Sequence, residues 1–214
     1  NVIFLAEDGA WGRSTVEAYS RFFKERGGEV LAFEYYPGKE TDFYPYLTRI
    51  KAKKPQALDF IGLTGPASIM AKAFHELGMG KEMFFLGSDG STAEEFIKLA
   101  GPAAEGHWGV HRWHFTQTDP LSLRFIKAYG AMFGGEIPEA SAQSGYDGMY
   151  VITDAIGRAG TTERDKIREA LVKTDLVGVI GRIKFDQDRQ NWPDMVIVHV
   201  KGGKFYMVKK IPSK

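Results

Sequence analysis

The sequence has 214 residues and no cysteine, which excludes a disulfide framework, thiolate zinc sites and cysteine nucleophiles. It also lacks an excess of charge of either sign. Lys plus Arg is 28 and Asp plus Glu is 27, a net of +1, with no basic stripe for nucleic acid and no polybasic run for an anionic membrane surface. No apolar run approaches the ~20 residues that a membrane-spanning helix needs. No G-x-G-x-x-G follows a strand, and neither a P-loop nor a G-x-S-x-G elbow occurs. The chain opens directly on strand-like Asn1-Val2-Ile3-Phe4-Leu5-Ala6, without a methionine, a charged n-region or an apolar h-region. The expectation is a processed chain or one that begins inside a longer protein.

What is present has the balance of a globular protein, 43% apolar and 26% charged, enough for one large domain or two small ones. Strand and helix patterns alternate over the first half. Strands are predicted at 2–6, 29–35, 57–63, 83–86 and 106–113. Helices are predicted between them at 12–26, 42–53, 66–77 and 91–100. The first helix shows Val16, Tyr19, Phe22 and Phe23 on one face, and Ser91-Thr92-Ala93-Glu94 fits a capping box. Strand starts near 2, 29, 57, 83 and 106 leave room for a helical crossover each time, and the strands are rich in Val, Ile, Leu and Phe. The fold class is therefore α/β with a doubly wound parallel sheet. After residue 118 the rhythm breaks into helices at 119–133, 141–158 and 162–173. Strands follow at 182–185, 195–200 and 205–208, with Gly202-Gly203 as a hairpin turn.

In an open parallel sheet, ligands bind outside the carboxyl ends of the strands. The loops there hold Ala10 and Trp11 between two glycines, Leu63-Thr64-Gly65, and Gly87-Ser88-Asp89-Gly90. Trp11 offers an apolar plate or cation–π face and Asp89 a fixed negative charge, which suits a small zwitterion or cation with an apolar part. Packing against the first helix is an equally open role for Trp11, and turn-and-cap chemistry is open for Asp89. His107, His111 and His114 invite a metal reading, but no carboxylate follows at ligand spacing, so no metal is assigned. Ser88-Asp89 would need a histidine at the same edge to act as a hydrolase, and the pattern places none there.

Six segments in order carry a family resemblance. They are 5–12 (LAEDGAWG), Tyr36-Pro37-Gly38 with Thr41-Asp42-Phe43, Glu76-Leu77-Gly78, Ala104-Glu105-Gly106, Gly145-Tyr146-Asp147-Gly148 and 181–186 (GRIKFD). Across essentially its whole length, the chain resembles type I periplasmic solute-binding proteins of branched-chain amino acid ABC transporters. The resemblance implies a two-lobed clamshell. Residues 1–112 and 178–214 would form lobe two. Residues 113–177 would be a helical return segment of lobe one, whose first part the chain lacks, so that a second chain or a missing segment would complete it. In the family, lobe two supplies an aromatic in the first loop, a contact after the third strand and an acid after the fourth that takes a ligand ammonium. Trp11, with Ala10 beside it, falls at the aromatic position, where Tyr is usual in leucine-type proteins. Leu63 and Thr64 fall at the second position, and Asp89, with Ser88 beside it, at the third.

The implied function is capture of an amino acid, an amide or an aromatic acid for an ABC permease. This needs no enzymatic step, no cofactor and no nucleic acid. The implied location is periplasmic or extracellular, with a lipid anchor in the precursor as one form. A ligand-sensing domain of a receptor or amide-type regulator is the alternative. The helix at 141–158 shows Tyr146, Met149, Tyr150, Ile152, Thr153 and Ile156, an apolar surface too broad for a free surface helix. It is expected against a neighbouring chain, displaced, or strongly exposed.

Overall fold

Short apolar strands alternate with helices through the first half of the chain. The order is β1 (Val2–Glu7), α1 (Ala10–Glu25), β2 (Val30–Tyr36), α2 (Tyr44–Ala52), β3 (Ala57–Ile61), α3 (Thr64–Glu76), β4 (Phe84–Ser88), α4 (Glu94–Ala100) and β5 (Trp108–His111). Three helices follow, α5 (Pro120–Met132), α6 (Ala140–Ala159) and α7 (Arg164–Val172). The tail holds β6 (Asp175–Gly178), β7 (Gly181–Lys184), β8 (Met195–Lys201) and β9 (Lys204–Ile211). The computed structural model describes residues 1–213, apart from the side chains of Ser88 and Asp89. The chain forms two units, Asn1–Val110 with Ile197–Val208, and His111–Val196 with the tail from Lys209.

The first unit is built on a seven-stranded sheet of order β2-β1-β3-β4-β5-β8-β9, parallel from β2 to β5. This is the predicted doubly wound α/β class. Local chemistry explains the boundaries. α1 stops at Gly27 and α3 at Gly78, both with positive φ that glycine adopts without strain. Gly202 and Gly203 both take positive φ, as a tight hairpin between β8 and β9 requires.

Three local expectations are corrected. The capping box at 91–94 does not form. Asp89–Ser91 winds into a 3-10 turn first, and α4 starts at Glu94 after Ala93, with no side-chain cap. β3 ends at Ile61 rather than 63, so Leu63 and Thr64 open α3. α1 buries the narrow line of Gly12, Val16 and Ser20, while Tyr19, Phe22 and Phe23 stay exposed.

One face of the sheet meets α1 through Phe4, Ala6, Val16, Ala57 and Ile61. The opposite face is aromatic. Phe74 lies 5.4 Å from Phe85, and Tyr36 and Phe43 lie 5.3 and 5.7 Å from Phe60. Two ionisable residues, His107 just before β5 and Asp59 in β3, stand among apolar neighbours. His107 is fully buried, 4.4 Å from Phe85 and 4.9 Å from Phe96, and its ring nitrogens lack hydrogen-bond partners among the described residues. Burial is the dominant influence and holds it down at about 3; the nearby Ser91 backbone opposes the shift and His199 reinforces it. It is therefore a neutral core histidine. Asp59 is half-buried on the α1 face between Phe4 of β1 and Leu86 of β4. Desolvation pushes its carboxyl up to about 7.

In the second unit, Asp119 caps α5 by accepting the Ser122 N–H at 3.0 Å, and Trp113, Phe125 and Val179 form the core. The β6–β7 hairpin includes β6, a strand absent from the sequence-based reading. Its turn is clamped by Asp147 of α6. That carboxylate accepts from the Val179 and Ile180 amides at 2.8 and 2.9 Å, and from Gln143 Nε2 at 2.5 Å. A Cβ at Gly178 would lie 2.7 Å from the same carboxylate, which is why a glycine stands there. α6 buries only the line of Gln143, Asp147, Val151 and Ala155, leaving Met149 (61%), Tyr150 and Ile152 exposed. The broad apolar face is strongly exposed, one of the three expected outcomes.

Two predictions follow from these buried groups. Asp147→Ala strands two peptide N–H groups and is expected to destabilise the second unit by about 2–4 kcal/mol, with lost hydrogen-exchange protection at Val179 and Ile180. The second concerns acid. Asp59, with its folded value raised from 3.8 to about 7, adds stability at low pH that is lost as pH rises from about 4 to 7. His107, depressed from 6.5 to about 3, does the reverse, and its contribution is lost as pH falls below about 6.5. Each slope is at most about 1.4 kcal/mol per pH unit, and the two oppose between about pH 4 and 6.5. Relative to wild type, Asp59→Asn should lose stability on acidification and His107→Leu should gain it, as read from exchange of β1 and β3 amides at pH 4.5 and 6.5.

Candidate functional site

The carboxyl ends of β1 to β4 and the loops after them form the candidate edge. Ala10 and Trp11 lie in the first turn of α1, whose N-cap is Gly9 with no side-chain cap. Trp11 is 40% exposed. Gly12 lets this turn press onto β1, since a Cβ there would meet the Glu7 carbonyl oxygen at 2.0 Å. Leu63, 60% exposed, is the N-cap of α3, and Thr64 is its first residue. This second helix start is also without a side-chain cap. Two helix starts with uncapped amides at one edge favour a negatively charged ligand group.

The structure brings the 62–64 turn against the loop after β4. A Cβ on Gly90 would lie 2.4 Å from the Thr64 nitrogen and 2.5 Å from the Gly62 oxygen. Leu63 and Thr64 therefore sit directly beside the backbone of Gly90. The side-chain roles expected of Ser88 and Asp89 lie outside the described residues. Trp11 is held by its own helix turn, where Ser14 Oγ donates to its carbonyl at 3.0 Å.

Several edge residues had no role assigned from the sequence. Tyr36 is fully buried beneath the edge, and its hydroxyl donates to the Ile61 carbonyl at 3.3 Å. Burial, then the Glu7 charge, raises its phenol well above the ordinary range, so it remains a neutral donor. Arg13 pairs with Asp8 at 2.7 Å and lies 4.3 Å over the Tyr35 ring, fixing the start of α1. Both Asp8 and Tyr36 stand within motif segments of the sequence, which was the available signal.

Among the described residues no group of three His, Asp or Glu side chains is arranged to hold a metal. His107 belongs to the first unit, whereas His111 and His114 belong to the second.

Residues 1–204 match a family model described as periplasmic binding protein. The chain belongs to the periplasmic binding protein family. One curated family relative is Leu/Ile/Val-binding protein homolog 6 of Brucella melitensis, 26% identical over 197 residues, with 89% of this chain and 50% of the relative covered. Among solved structures, a leucine binding protein from Thermotoga maritima superimposes with a TM-score of 0.88 at 26% identity, covering 99% of this chain and 60% of that one. A solute binding protein of an ABC transporter from Rhodopseudomonas palustris, in complex with 3,4-dihydroxybenzoic acid, gives 0.85 at 25% identity, with 99% and 60% covered. The chain spans about half the length of the curated relatives it matches.

The contact of the two loops is directly testable. Gly90→Ala should cost about 1–3 kcal/mol by forcing the 62–64 turn away. Gly65→Ala, whose Cβ would meet nothing within 4 Å, should be neutral or stabilise by up to about 1 kcal/mol. Urea denaturation of both variants checks the contrast.

Proposed function

We propose that the chain is the solute-binding part of an ABC importer and captures an amino acid outside the cytoplasmic membrane. The observation that carries the reading is the family match over residues 1–204, on a sheet whose carboxyl edge gathers the Trp11, Leu63-Thr64 and Asp89-Gly90 segments. An amino acid is a zwitterion with a side chain. In this reading Asp89, with Ser88 beside it, takes the ammonium. Trp11 covers the side chain, Ala10 leaves room beside it, and Leu63 and Thr64 form the adjoining wall. The uncapped helix starts suit the ligand carboxylate. Affinity comes from burying the ligand's apolar part and from ion pairs and hydrogen bonds that offset the cost of desolvating its charges, and no bond is made or broken. The names of relatives include both a leucine binder and a complex with a dihydroxybenzoic acid. A carboxylate at Asp89 favours the ammonium-bearing class, because an aromatic monoacid has no cation to offer it.

A thermal-shift panel of L-amino acids, simple amides and hydroxybenzoates tests this. A ligand at 100 times its Kd stabilises by about 2.7 kcal/mol, roughly 5–10 °C for a chain of this size. The expected result is a shift with an L-amino acid that Asp89→Ala abolishes, while far-UV circular dichroism stays unchanged. A flat panel, or a shift indifferent to both Asp89→Ala and Trp11→Ala, overturns the proposal.

A further inference from the structure

Parallel sheets are ordinarily covered by helices on both faces. In the first unit the face bearing Phe85 and His107 is covered, with Phe74 of α3 and Phe96 of α4 packed on it. On the opposite face, α1 packs on β1, β2 and the near side of β3. Beyond that, Phe84 is 62% exposed and Val110 is exposed, while Leu86, Trp108 and His199 are half-buried. Trp108 and His199 stack at 4.3 Å on this open part.

At the border between the covered and open parts stands Asp59. The register sets Phe4, Asp59, Leu86 and Trp108 in one row across β1, β3, β4 and β5. Among the described residues the Asp59 carboxylate has no hydrogen-bond or ion-pair partner. A carboxylate among apolar side chains without a partner is costly, and the sheet offers none.

We propose that the open face between β3 and β8 docks an amphipathic helix that sets a lysine or arginine from its apolar stripe over Asp59. Width argues for a helix. Three strand spacings of ~4.8 Å make about 14 Å, close to the 10–12 Å diameter of a helix with its side chains. Charge argues for a basic residue in the stripe, since it would pair Asp59 and return it to the ionised state from which burial displaces it. This inference concerns a different surface from the carboxyl edge and stands apart from the solute-binding proposal.

The test uses two synthetic 15-residue amphipathic helical peptides that differ at one central apolar-face position, lysine in one and norleucine in the other. Calorimetric titration onto the chain should give at least tenfold tighter binding for the lysine peptide, with exchange protection on β3, β4 and β5. Asp59→Leu, which replaces the carboxylate by an apolar group, should reverse the preference. Binding of neither peptide, equal affinity for both, or a lysine preference that survives Asp59→Leu overturns the proposal. So does concentration-dependent dimerisation of the free chain that Trp108→Glu abolishes.

Discussion

A parallel strand cannot reach its neighbour through a tight turn, and the rest of the first unit depends on that constraint. Each of β1 to β4 must be followed by a crossover, so each deposits a loop at its carboxyl end and a helix on one face or the other. The loops accumulate at one edge, where Trp11, Leu63, Thr64 and the Asp89-Gly90 backbone come to lie. The helices that follow start at the same edge with their amide ends. Site and scaffold are thus one consequence of strand pairing, which is why a binding edge could be located before any side chain was placed.

The same constraint explains where the sheet tolerates polar groups. His107 sits on the face packed by α3 and α4 and stays neutral between Phe85 and Phe96, where burial rather than any partner determines its state. Asp59 sits on the face that α1 covers only in part. One is a core residue of unusual type, and the other marks the boundary of an unfinished layer. In the second unit the corresponding polar commitment is satisfied locally, because Asp147 spends its oxygens on the Val179 and Ile180 amides and the Gln143 side chain.

Much of the fold was legible in the sequence, since strand spacing and the Gly202-Gly203 turn both act over a few residues. The misreadings have physical causes. Ser91 and Glu94 match a capping box, but the chain leaving β4 first closes a 3-10 turn, which moves the helix start to Glu94. The aromatic stripe of α1 suggested a wide buried face, whereas β1 and β3 accept only the line of Gly12, Val16 and Ser20. β6 is four residues with alternating exposure, too short to signal itself, and it exists because β7 pairs with it. Of the candidate site, the loops were legible and the supports were not. Tyr36 beneath the edge and Arg13 over Tyr35 act through residues distant in sequence or across strands.

By itself the sequence determined the order of elements, the parallel α/β class and the edge that carries the candidate residues, because periodicity and turn chemistry are local. Only the tertiary structure decided that Gly90 presses on the turn at Leu63 and Thr64, that Asp147 clamps a hairpin more than thirty residues away, and that Asp59 faces an open layer without a partner. Those are contacts between segments far apart in the chain, and no local pattern encodes which segment a residue will meet or whether it will meet one at all.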